Sequence, residues 1–403
     1  MKLFRELRSL PRAISVVFVA TLVNRAGTMA LPFLVVYLTK ERQLPAETAG
    51  AVLGFYGAGA LLAGPLAGLL VNRVGARAVM IGSLCGSGMI SMAIPWIEDE
   101  ILGALVVFAW ALTAEAFRPA GAAVVAEHAL PAQRRTAYAV LRLAVNLGMS
   151  VGPAIAGLLA TQSYAAIFVI DGATSLLAVA PLLRNRGCLA STGPGEGAHA
   201  AAGKDADLAG RGHLGELVVH LVGVALIAVV AYQGLSTLPL YMTSTLALGE
   251  AEYGFVFALS GVLIVLFEIP LTLRLGHWTH RRLLFLGTAL TGVGFAALAV
   301  STTLFAIVGA TLVWTVGEML LGPAAAARVA DLEPPRRRGL YVGLYNAVWS
   351  GAFAFGPWLG IQSFAPLGPA VHWLVVGATG FAAAMIFAVR IVSRASRVER
   401  TSA

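Results

Sequence analysis

Runs of about 20 apolar residues recur along this chain, and they constrain its fold more than any short motif does. Each is long enough to cross roughly 30 Å of hydrocarbon at 1.5 Å per residue in a helix. Only 12% of the 403 residues are charged and 58% are hydrophobic, so a soluble domain of this composition would be left with large apolar patches on its surface. In lipid the backbone must satisfy its own hydrogen bonds, which leaves helices or closed barrels. The alternating pattern of a barrel strand is absent, so the expectation is an all-α membrane protein.

Twelve runs are read as helices, six before a polar stretch and six after it. The first, from about residue 13 to 38, is too long for a signal-peptide core and no small-residue cleavage site follows, so it is read as an uncleaved helix. The expected organisation is an N-terminal six-helix bundle over residues 1–186, a flexible linker at 187–213, a C-terminal six-helix bundle at 214–392 and a tail at 393–403. With the amino terminus placed inside, 23 of the 28 Lys and Arg fall on inside segments and two, Lys40 and Arg42, on outside loops. The positive-inside rule then puts both termini in the cytoplasm of a multi-pass protein of the plasma or inner membrane. That asymmetry accounts for the net charge of +8 and removes the need for a nucleic-acid partner. Cys85 and Cys188 form no disulfide or metal spacing, the seven histidines are scattered, and no nucleophile-base set or phosphate loop appears. An enzyme, a cofactor and a metal are therefore not expected.

The chain also repeats itself. Trp110, Pro119, Pro131, Gly152 and Pro153 recur as Trp314, Pro323, Pro335, Gly356 and Pro357, every one displaced by 204 positions, with Glu127 falling on Asp331. An internal duplication explains a tryptophan, prolines, a Gly-Pro pair and an acid in one register, and it directs attention to the interface between the halves. Gly27-x-x-x-Leu31-Pro32 and Gly234-x-x-x-Leu238-Pro239 likewise correspond, so helices one and seven should bend at matching points and serve as gates.

Against that background Gly68-x-Leu70-x-Asn72-Arg73-x-Gly75-x-Arg77 resembles motif A of the major facilitator superfamily, Gly-x-Leu-x-Asp-Arg-x-Gly-Arg-Lys, departing from it at Asn72 and Ala76. Gly148-x-x-x-Gly152-Pro153-x-x-x-Gly157 is similar to motif C, which in that family marks drug:proton antiporters, and Arg118-x-x-Gly121 partly matches motif B. The resemblance implies two pseudo-symmetric six-helix bundles working by alternating access. Read physically, Gly75 with Arg73 and Arg77 makes a tight basic turn at a headgroup surface. Gly148, Gly152 and Gly157 bare one side of helix five, and Pro153 bends it. Close helix packing and a role in sealing one face during antiport account for the glycines equally well.

Seven charges lie where a membrane should exclude them: Arg25, Arg118 and Arg142 against Glu115, Asp171, Glu268 and Glu318. Each costs roughly 2.5–3.5 kcal/mol on insertion scales, so they should face the protein interior and pair. Glu115 and Arg118, at i and i+3, can meet along helix four. Asp171, Glu115 and Glu318 are the proton-coupling candidates, since burial without a full partner favours the neutral carboxyl; a satisfied interhelical hydrogen bond is the alternative. Arg25, about 12 residues into helix one, and Arg118 are counter-charges or anion contacts. Asn24, Tyr232, Gln233, Asn346, Phe33 and Trp349 are the remaining cavity candidates, with aromatic core packing the alternative for Phe33 and Trp349. Helices five and eight face one another in the family fold, which implies an Arg142–Glu268 salt bridge between halves; separate local pairs are the alternative.

The expected function is proton-coupled antiport of an amphiphilic or drug-like small molecule outward, by a monomer in the lipid bilayer. An exporter or flippase of an anionic metabolite or lipid-like molecule is the second transport reading, which Arg25 and Arg118 would suit. A non-transporting receptor is the reading from another class, and it has no need of seven intramembrane charges.

Overall fold

The computed structural model describes residues 10–130, 133–189, 211–332 and 338–388. Most of the linker expected at 187–213 and the whole tail at 393–403 therefore lie outside the described residues, as do Pro131 and Pro335. Among the described residues the regular structure is all helical, with twelve long segments in two sets of six. The first set is α1 (Arg12–Glu41), α2 (Ala46–Val74), α3 (Ala76–Trp96), α4 (Glu100–His128), α5 (Arg134–Ala160) and α6 (Tyr164–Arg184). The second is α7 (Leu214–Thr245), α8 (Glu250–Arg274), α9 (His280–Val300), α10 (Leu304–Leu332), α11 (Arg338–Leu367) and α12 (Pro369–Ala388). Eleven are long and apolar enough to span a membrane; α11 has the length, 30 residues, but Asn346, Ser350, Gln362 and Ser363 dilute its hydropathy.

Local chemistry sets the ends. Asp99 caps α4 by accepting from the Leu102 amide at 2.7 Å, and Ser163 and Thr279 cap α6 and α9 in the same way. Gly75, at φ +84°, makes the one-residue turn from α2 into α3, a conformation that a side chain would strain.

The duplication is visible atom by atom. α1 ends in a π turn at Tyr37–Glu41 and α7 in one at Tyr241–Thr245, 204 residues on. The amides of Arg42 and Leu44 donate to Tyr37 and Leu38, and those of Leu246 and Leu248 to Tyr241 and Met242. Gln43 and Ala247 then share a left-handed φ of 54°. Earlier in the same helices the spacing is 207: helix resumes after an interruption at Ala30 in α1 and at Thr237 in α7. The two spacings agree because the piece between interruption and π turn has seven residues in α1 and four in α7.

Two compact units are defined by contacts, one formed by residues 1–195 with 235–265 and the other by 196–234 with 266–403. In the first, α1 packs on α5, α2 on α4 and α3 on α6, and the final part of α7 with the first part of α8 packs there too. In the second, α9 packs on α10 and α12, and the first part of α7 on α11 and α12. Bare glycines allow the closest approaches. A Cβ on Gly88 would stand 2.8 Å from the Gly172 carbonyl oxygen between α3 and α6, and its counterpart on Gly292 would stand 3.0 Å from that of Gly377 between α9 and α12.

These approaches predict an asymmetry in substitution. Gly88→Leu and Gly292→Leu should each destabilise the protein by roughly 1–3 kcal/mol, whereas Gly82→Ala and Gly103→Ala, facing open space, should be neutral or mildly stabilising. Thermal unfolding of the purified variants in detergent measures this, and equal midpoints for the two pairs would contradict the packing.

Candidate functional site

Helix α1 cannot run straight through the first unit. Helical bonding stops at Ala26 and resumes at Ala30, which leaves amides of Met29 and Ala30 without helical acceptors in a region closed to water. Asp171 of α6 supplies the acceptor. Its Oδ2 takes the Met29 amide at 3.0 Å and the Ala30 amide at 2.9 Å, and the carboxyl is only 6% exposed. A carboxylate on the N-terminal amides of a restarted helix is stabilised by charge-assisted hydrogen bonds and by the helix dipole.

Three glycines make the interruption compact. Gly27 lies against Thr174 of α6 with no space for a Cβ. On α5, a Cβ at Gly148 would meet the Arg25 Cβ at 2.6 Å, and one at Gly152 would meet the Thr28 carbonyl oxygen at 2.8 Å. Gly157 faces the other way, where a Cβ would stand 2.8 Å from the Glu250 carbonyl oxygen of α8, and the Pro153 carbonyl lies against Gly254. One helix face thus holds α1 and the next holds α8. Asn24, expected in the cavity, instead donates to the Ser175 hydroxyl at 3.1 Å and ties α1 to α6.

Around Asp171 the first unit gathers Arg25, Tyr56 and Glu115. Arg25 is half-buried, its charge acts on Asp171 and on Tyr56, and its Nε is enclosed without a hydrogen-bond partner. Tyr56, buried on α2, donates to Glu115 Oε1 at 3.4 Å and packs edge-on to Trp110 at 5.2 Å. Four titratable or charged groups from α1, α2, α4 and α6 therefore share one buried region. Glu115 does not meet Arg118. Pro119 has no amide to return to the Glu115 carbonyl, the helix is interrupted at Ala116, and Arg118 is left exposed.

A second cluster in the same unit closes the far end of α1. Lys40 Nζ meets Glu250 Oε1 at 2.7 Å, and the Tyr164 hydroxyl donates to the same oxygen at 2.8 Å. Phe33, expected among the cavity residues, is fully buried beside it, edge-on to Tyr253 at 5.2 Å, so core packing describes it.

In the second unit Tyr232 packs against Phe353 at 4.7 Å and Trp349 at 6.0 Å, and Tyr345 adjoins Trp349. The indole Nε1 of Trp349 is enclosed with no hydrogen-bond partner, and Asn346 beside it is exposed. Gln233 is not a cavity residue: it is 2% exposed, and its Nε2 donates to the carbonyls of Val229 at 2.9 Å and Gly356 at 3.0 Å, pinning α7 to α11. Glu318 is half-buried and has no hydrogen-bond or ion-pair partner among the described residues. Arg142 is exposed on α5 and Glu268 buried on α8. Of the basic turn, Gly68, Asn72 and Arg73 are exposed, while the Nε of Arg77 donates to the Leu182 carbonyl at the end of α6.

Residues 17–238 and 220–403 match the family model of the Major Facilitator Superfamily. The chain belongs to the major facilitator superfamily. It is 22% identical over 348 residues to the uncharacterized MFS-type transporter YqjV of Bacillus subtilis (strain 168), covering 85% of this chain and 84% of that one. A second B. subtilis protein, the uncharacterized MFS-type transporter YttB, is 24% identical over 362 residues, with 87% and 88% covered. Among solved structures, a POT family transporter in complex with 5-aminolevulinic acid superposes with a TM-score of 0.81 at 13% identity, covering 94% and 96% of the two chains. A D-xylose-proton symporter superposes with a TM-score of 0.77 at 15% identity, covering 93% and 96%. These likenesses establish the fold, and membership of this superfamily makes the protein a secondary transporter.

For this superfamily member, sequence reasoning missed Tyr56, the Lys40–Glu250–Tyr164 cluster and Arg281. The last was within reach, because Arg281 is Arg77 plus 204 and repeats its bond, donating to the Phe387 carbonyl at the end of α12.

The cap on α1 predicts a graded response. Asp171→Ala orphans two enclosed amides and should lower stability by roughly 1–3 kcal/mol, while Asp171→Asn, which keeps an acceptor oxygen, should lose less. Unfolding midpoints of the purified variants decide it; an Ala variant as stable as the parent would remove Asp171 from this role.

Proposed function

We propose that this transporter exports an amphiphilic small molecule in exchange for protons, and that Asp171 links the proton to the shape of α1. The observation that carries this reading is the pair of hydrogen bonds from Met29 and Ala30 to one carboxyl oxygen. As a carboxylate Asp171 only accepts, and it holds the restarted helix by charge. A proton removes that charge and adds a donor, which weakens the cap and loosens the segment running on to Lys40. Glu115, with one long bond to Tyr56, is the exchange partner through which a proton reaches or leaves the buried region. Glu318, lacking a partner among the described residues, is a further carrier in the second unit. The substrate surface is the aromatic set Tyr232, Trp349 and Phe353 with Asn346: flat apolar faces, an unused indole donor and an amide.

In this reading residues 1–186 and 214–392 are the two moving lobes, joined by 187–213, in the cell membrane with both termini cytoplasmic, as the 23 to 2 division of basic residues supports. Lys40, Glu250 and Tyr164 then clasp the outer side. A second reading, export of an anionic metabolite or lipid-like molecule, is favoured by one observation: the enclosed, unpartnered Nε of Arg25 would meet an anion.

Purified protein in vesicles carrying a pH gradient tests the coupling. Lipophilic cations such as ethidium should move against the proton gradient, with transport reduced at least tenfold in Asp171→Asn and Glu115→Gln. Binding without proton-linked flux would overturn antiport, and a preference for an anionic dye lost in Arg25→Gln would select the second reading. For the gate, Lys40→Glu and Glu250→Lys should each impair transport and the double reversal should restore much of it. Failure of the double reversal to restore transport would refute the gate assignment.

A further inference from the structure

A cavity of about 980 Å³ opens in the second unit where the start of α7, the start of α9, the end of α10 and the end of α12 come together. Three guanidinium groups line it, those of Arg281, Arg282 and Arg328, against one carboxylate, Glu216, which bonds Arg328 at 2.7 Å. Arg281 uses its Nε on the Phe387 carbonyl, and its Nη groups have no hydrogen-bond partner among the described residues. Arg282 is exposed, and the Nδ1 of His280 is enclosed without a partner. Below the cations the walls are apolar, formed by Leu284, Phe285, Ile386 and Phe387.

The duplication provides an internal comparison. At the spacing of 204, His280, Arg282 and Arg328 correspond to Ala76, Ala78 and Val124, and at the 207 spacing that holds before the interruption, His220 corresponds to Ala13. Ala13, Ala76 and Val124 belong to one buried apolar cluster, filled in by Leu189 with Cys188 packed against it. The first repeat thus has alanine or valine at these four positions and keeps Arg77 in the place of Arg281, whereas the second lines a cationic cavity from them. Packing alone does not ask for four polar side chains at positions where alanine and valine suffice.

We propose that this cavity binds the phosphate-bearing headgroup of an anionic phospholipid, with Arg281 and Arg282 on the phosphate and an acyl chain along Leu284, Phe285 and Ile386. Four helix ends meet there, so it lies at headgroup depth in one leaflet, and Trp278 at its rim is an interfacial residue type. Val218, Val222 and Met385 on the framing helices are exposed apolar side chains, as a lipid-contacting surface requires and a site for a soluble anion does not. The site is separate from Asp171 and does not depend on proton coupling.

The test uses the full chain in nanodiscs of phosphatidylcholine with phosphatidylglycerol, followed by native mass spectrometry of retained lipid. The parent protein should retain phosphatidylglycerol in preference to phosphatidylcholine. Loss of each arginine should weaken that retention about fivefold, so Arg282→Gln falls about fivefold and Arg281→Gln with Arg282→Gln about 25-fold. Arg186→Gln, an exposed basic residue on another loop, should leave it unchanged. Because the Arg282 side chain makes no hydrogen bond or ion pair among the described residues, its single variant keeps the test valid if the double variant is unstable. Retention unaffected by Arg282→Gln, or reduced equally by Arg186→Gln, would overturn the site. Inorganic phosphate displacing the lipid at millimolar concentration and binding as well on its own would overturn the lipid assignment in favour of a soluble anion.

Discussion

An amide that leaves its helix inside hydrocarbon must find another acceptor within the protein, because no water is present to provide one. The interruption of α1 exists under that constraint, and the Asp171 carboxyl meets it. The rest of the first unit is arranged so that this can happen. Gly27 lets α6 approach until Asp171 reaches the broken turn, and Gly148 and Gly152 let α5 close over the other side. Substituting methyl groups for those hydrogens would push the acceptor away from the amides it serves. The motif glycines on α5 and the acid on α6 are thus parts of one structure, although nothing in their spacing says so.

The second repeat answers the same constraint with different chemistry. Its interruption in α7 is secured by Gln233, which donates to the carbonyls of Val229 and Gly356, and Gly356 is Gly152 plus 204. The position equivalent to Asp171 is Val376, since Gly172 and Gly377 make the matching contacts with Gly88 and Gly292. A neutral amide donating to carbonyls carries no charge, whereas a carboxylate accepting amides does. Two helices with the same interruption are therefore secured differently, α1 by an acceptor from α6 and α7 by its own donor to α11.

Much of the fold could be read from the residues, because run length, basic-residue asymmetry and the 204-residue echo are one-dimensional signals. The interruptions in α1 and α7 followed from Gly and Pro at matching places. Side-chain direction was harder. A helix that is apolar on nearly every face loses the periodicity that tells inside from outside, so Gln233 reads as a cavity residue although it ties two helices, while the core-packing reading of Phe33 agrees with its burial. The Glu115–Arg118 pair failed for a local reason, the missing amide of Pro119. Tyr56 and the Lys40–Glu250–Tyr164 cluster were invisible because their partners lie on other helices, at sequence separations of 59, 210 and 86 residues.

A duplicated protein carries its own reference state, and that sharpens what its differences mean. Where both copies keep a feature, as in the π turns at Tyr37 and Tyr241 or the glycine contacts of Gly88 and Gly292, the feature serves the architecture that both copies need. Where one copy keeps an expensive group and the other has a plain apolar one, the shared scaffold does not by itself require that group. Asp171 against Val376 is such a difference, and so is the cationic cavity around Arg282 against the apolar cluster around Ala76. Placing a carboxyl beside hydrocarbon is unfavourable, and at Asp171 the bonds from the Met29 and Ala30 amides offset that cost. The two differences sit in opposite repeats, the carboxyl cap in the first and the cationic cavity in the second.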